Sequence, residues 1–75
     1  MSLSIIDLKS IASKGGGMIL DATKISALDL KSIASKASET KAQIIIKKPQ
    51  ALSVLDIKSI ASKGNGCIVF DFYES

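Results

Sequence analysis

The chain has no histidine, no tryptophan and no arginine, since all ten basic residues are lysine, and it has one cysteine, one proline and three aromatic side chains. Each shortage removes a class of function. Without histidine there is no side chain that titrates unperturbed near neutrality. No nucleophile stands beside a plausible base, and no cysteine or carboxylate cluster has metal-ligand spacing, so neither an enzyme nor a bound metal or cofactor is expected. Without arginine there is no bidentate reader of bases, and three aromatic rings are too few for a base-stacking platform. The lone Cys67 cannot close an internal disulfide. It reads as a structural thiol in a strand, with a reactive or intermolecular thiol as the alternative. No apolar run approaches the roughly 20 residues needed to cross a bilayer, and no signal-peptide pattern precedes the first helix start, so a cytoplasmic protein is expected.

What the sequence does hold is repetition. Asp-Leu-Lys-Ser-Ile-Ala-Ser-Lys occurs at Asp7 to Lys14, again unchanged at Asp29 to Lys36, and a third time at Asp56 to Lys63 with Ile57 for leucine. Three copies in 75 residues define an array of units, about 3–24, 25–51 and 52–75, forming one domain. A serine lies three residues before each aspartate, at Ser4, Ser26 and Ser53. That spacing predicts a capping box, in which the serine hydroxyl accepts the aspartate amide and the carboxylate reaches back to the serine amide. Helices are therefore predicted from about residues 4, 26 and 53. In the second, Ala27, Leu30, Ile33, Ala34 and Ala37 share one face. Leu8, Ile11 and Ala12, and Ile57, Ile60 and Ala61, repeat that stripe.

Gly15-Gly16-Gly17 and Gly64-Asn65-Gly66 predict left-handed helix exits in the first and third units. The glycine run leaves a helix and enters a strand, the reverse of a phosphate-cradling loop, so it reads as a C-cap. The middle unit lacks an exit glycine, which predicts a longer helix or a larger loop. Runs rich in β-branched residues at 18–22, 43–48 and 67–73 predict strands, the second closed by Pro49.

Helix followed by strand three times, without hairpin turns, predicts parallel strands. With right-handed crossovers the expected fold is α/β, a short solenoid-like array of three helix–strand repeats whose three-stranded sheet, in order 1-2-3, carries all three helices on one face. Another strand order is the alternative. The layout is similar to that of leucine-rich-type α/β solenoids, but their leucine and asparagine spacing is missing, and no family or function is carried over. A chain of this size buries only about 60% of its unfolded surface, so the core should be thin and aliphatic, with Phe70 and Phe72 the largest contributors.

Aligning Asp21, Lys47 and Asp71 turns Met18, Ile44, Ile68 and Leu20, Ile46, Phe70 toward the helices. Ile19, Ile45 and Val69 then face outward, bordered by Asp21, Lys47 and Asp71. Parallel sheets are nearly always covered on both faces, and the chain has no second helical layer. These six outward residues are thus the expected partner-binding surface of a non-enzymatic structural or protein-interaction module, either a homo-oligomer or a binder of a protein partner. The open edges of the outer strands offer a second, head-to-tail route, only partly blocked by Asp71 and Glu74. No atypical end repeat is evident at either terminus, which fits self-assembly or a piece of a longer array.

Lys9, Lys31 and Lys58 hold one repeat position and Lys14, Lys36 and Lys63 another, forming two basic ridges. The simpler reading is a solvated outer face. The functional reading is weak binding of nucleic acid or an acidic surface. A net charge of +3 makes nucleic acid the lesser expectation. Neither a membrane nor a small-molecule substrate is expected.

Overall fold

The computed structural model describes residues 3–73. Helices and strands alternate as α1 (Ile5–Ser13), β1 (Met18–Asp21), α2 (Ala27–Thr40), β2 (Ile44–Lys47), α3 (Val54–Gly64) and β3 (Ile68–Asp71), with a 3-10 turn at Pro49–Ala51. The strands pair in parallel in the order β1-β2-β3. Met18, Ile44 and Ile68 lie in register, as do Asp21, Lys47 and Asp71, so the alignment read from the charges is the one adopted. Glu74, expected to guard the edge of β3, lies outside the described residues.

The serine–aspartate spacing starts all three helices. Ser26 and Ser53 accept the amides of Asp29 and Asp56 at 3.2 and 3.1 Å. At Ser4 both halves of the box close, each at 3.2 Å. Each such cap contributes about 1 kcal/mol relative to alanine.

The exits differ among the units. Gly15 and Gly66 sit at φ 91° and 93°, where a β-carbon would be strained. Gly64 ends α3 buried against Ile68, whose side chain occupies the space a β-carbon would need. The middle helix does run longer, to 14 residues, and ends at Lys41 in the left-handed region with φ 64°. Its extra turn brings the Thr40 hydroxyl to the Ala12 carbonyl at 2.6 Å, tying α2 to the last turn of α1.

The strands are shorter than their apolar runs, four residues each. Polar chemistry cuts them off. Asp21 accepts the Thr23 amide at 2.8 Å, and Asp71 accepts the Tyr73 amide at 3.0 Å, so each aspartate bends the chain out of the sheet in an Asx-turn. Lys48 ends β2 in the left-handed region, and buried Pro49 follows it.

One aliphatic cluster forms the core. Leu30, Ile33, Ala34 and Ala37 enter it from α2, Ala12 from α1 and Ile60 from α3, while Leu20, Ile44 and Ile46 rise from the sheet. The helices therefore pack on one sheet face. Each large aliphatic buried this way stabilises by about 1.5–3 kcal/mol. Two expectations need correction. Phe72 is exposed and Phe70 only half-buried, so Leu30, Ile33, Ile44, Ile46 and Ile60 carry the load instead; the strand ends at Asp71, before Phe72 can reach the core. Ala61 is exposed too, because α3 has a neighbouring helix on one side only.

Candidate interaction surfaces

The alternation of the strands turns Ile19, Ile45 and Val69 away from the helices. Ile19 is 68% exposed and Val69 41% exposed, while Ile45, flanked by both neighbours, is half-buried. Asp21, Lys47 and Asp71 follow at the carboxyl end of the same face, and all three are half-buried. The six predicted residues are thus brought together on one surface.

Its charges are organised by neighbours. Lys47 Nζ meets Asp71 Oδ2 at 2.6 Å, joining β2 to β3 at the face's border. Asp21 accepts both the hydroxyl of Thr23, at 2.6 Å, and its backbone amide. Hydrogen bonds from the Thr23 hydroxyl and amide hold the Asp21 carboxyl below its usual 3.8; Lys48 and Lys24 add to that, and partial desolvation opposes it. The sequence reading had these aspartates only as border charges and missed their turn-forming role, although Asp-x-Thr after a strand is a recognisable Asx-turn signal.

The lysines of the two ridges all lie on the helix layer. Lys9 and Lys31 are half-buried, and Lys14, Lys36, Lys58 and Lys63 are exposed. Lys31 Nζ bridges to Asp56 Oδ1 at 3.2 Å across the α2–α3 boundary, so one unit's lysine meets the next unit's capping aspartate. A shallow cleft of about 230 Å³ opens there, lined by Leu28, Lys31, Ser32, Ser35 and Lys63.

The helix layer also carries a feature missed from the sequence. Ile6, Leu28 and Leu55 occupy the same repeat position, immediately before the capping aspartate, and are 72–77% exposed. The signal was available, because this position is opposite the Leu8, Ile11, Ala12 stripe at 100° per residue. Cys67 is half-buried beside the core, its amide bonded to the Gly64 carbonyl and its own carbonyl accepting the Ile44 amide. Among the described residues no three histidine, cysteine or carboxylate side chains gather as metal ligands, and no helix is long and apolar enough to cross a membrane.

Comparisons with protein-family models, curated proteins and solved structures give no match to this chain.

Proposed function

We propose that the chain is a non-enzymatic interaction module, its three helix–strand units arranged as a short solenoid-like array, that pairs with a second copy through the uncovered face of its sheet. The observation that carries this reading is the exposure of Ile19 and Val69 on a parallel sheet already covered by helices on its other face. The charge pattern favours one arrangement. If the two-fold axis ran along the strands, Asp21 would face the second copy's Asp71, and Lys47 would face Lys47. If the axis crosses the strands, the three charges lie over the opposite, uncharged end of the face, and the aliphatic rows meet. The edges support face pairing over filament growth, because head-to-tail extension in the same register would set Asp71 beside the next copy's Asp21, and like charges opposite each other destabilise.

The face is small. Three strands of four residues span roughly 14 by 13 Å, well below the about 800 Å² per partner of a standard interface. Association through this face alone is therefore weak, with Kd in the micromolar range or above. Ile45→Lys tests the reading. Sedimentation across a concentration series should show a concentration-dependent increase in mass for the parent chain and a monomer for the variant, with the helical circular-dichroism signal unchanged. A parent that stays monomeric at every concentration, or a variant that associates equally well, refutes it.

A further inference from the structure

Three of the most exposed large side chains hold a single repeat position on the helices, Ile6, Leu28 and Leu55, at 75, 72 and 77% exposure. They contribute little to the core, and a solvated helix face calls for polar residues there. Within one turn, at i+3, stand Lys9, Lys31 and Lys58, and at i+4 Ser10, Ser32 and Ser59, so each unit repeats an aliphatic–lysine–serine surface. Leu3 and Val54, also exposed, widen the aliphatic row at the helix starts.

We infer that this outer face of the helix layer docks on an anionic lipid bilayer, with Ile6, Leu28 and Leu55 entering the boundary between headgroups and acyl chains while the lysines meet the headgroups. Charge and shape together select this occupant. The flanking cations suit an anionic surface: Lys9, Lys31 and Lys58 at i+3 and Lys14, Lys36 and Lys63 at i+8 outnumber the three capping aspartates, of which Asp56 is already paired with Lys31. The α2–α3 cleft on this face, of about 230 Å³, is too small to seat a partner helix about 10 Å across. A nucleic acid would use the lysines and leave the aliphatic row in water. Among the described residues no helix is long and apolar enough to cross a bilayer, but surface docking needs only a short apolar stripe with cations beside it, so this inference departs from the expectation of no membrane contact. It does not depend on pairing through the sheet.

The test is co-sedimentation of the whole chain with phosphatidylcholine vesicles containing about 30% phosphatidylserine. Binding should occur, weaken with added salt and vanish on pure phosphatidylcholine. The triple variant Ile6→Ser, Leu28→Ser, Leu55→Ser should lose about tenfold or more in affinity while keeping the parent's circular dichroism, since all three side chains are exposed. Ile45→Lys should bind vesicles like the parent, which separates this surface from the sheet. The inference is overturned if the parent fails to bind the anionic vesicles or the triple variant binds equally. It is overturned equally if the parent binds DNA in a salt-dependent way but not vesicles, or if the triple variant lowers the solution mass while leaving vesicle binding intact.

Discussion

The octapeptide at Asp7 to Lys14 and its duplicate at Asp29 to Lys36 have the same eight residues and different environments. In α2, Leu30 and Ile33 are fully buried, whereas their counterparts in α1, Leu8 and Ile11, are only half-buried; Ala12 and Ala34 are buried alike. The cause is position in the helix layer. α2 packs against both other helices, while each of those has α2 as its one close helical neighbour. Local sequence thus sets helix, cap and inward stripe, and the side on which a helix has a neighbour sets what each side chain contributes.

The sharpest way to break this comparison is to make the same change in both copies. Ile33→Ala should cost about 3–4 kcal/mol, as full deletion of a buried aliphatic does, and Ile11→Ala about half that. Urea unfolding monitored by circular dichroism checks both. Equal losses would show that copy identity outweighs neighbourhood. A second change sharpens the contrast between exits. Lys41 holds a left-handed conformation that Gly15 supplies in the first unit, so Lys41→Gly should stabilise by about 0.5–1 kcal/mol, read as a higher melting temperature. Lys14→Gly, outside that region, should give no such gain.

The smallest effect concerns the strand-ending Asp21. The folded-state carboxyl of Asp21 is held below 3.8, so its contribution is present above the unfolded value and is lost as pH falls through the lowered folded value. The melting temperature of Asp21→Asn should therefore lie below the parent's near neutrality, and the gap should close in the acid range below pH 3.8. A gap that persists unchanged at the most acidic point would assign the effect to the Asx-turn geometry rather than to ionisation.

Much of the fold was legible because the signals were local and tripled. The spacing of Ser4, Ser26 and Ser53 ahead of the aspartates marked every helix start, and alignment of Asp21, Lys47 and Asp71 gave the sheet register that the structure adopts. What escaped depended on where an element stops. Phe72 looked like core until the turn at Asp71 placed it past the strand, and Ala61 looked buried by analogy with Ala34, which has a helix on each side. On the surfaces, the row at Ile19, Ile45 and Val69 followed from alternation alone. The row at Ile6, Leu28 and Leu55 was less legible because helical periodicity marks the stripe each helix buries and assigns no role to the residue opposite it.

Chains assembled from near-duplicate parts risk threading one part into another's slot, within a molecule or between molecules. The four-residue tail Ala37–Thr40 answers that hazard. It has no counterpart after Lys14 or Lys63, and its threonine latches onto the Ala12 carbonyl 28 residues away in the chain. An α1 or α3 segment docked in the central slot would lack this latch, so the asymmetric tail acts as a key that distinguishes otherwise interchangeable pieces.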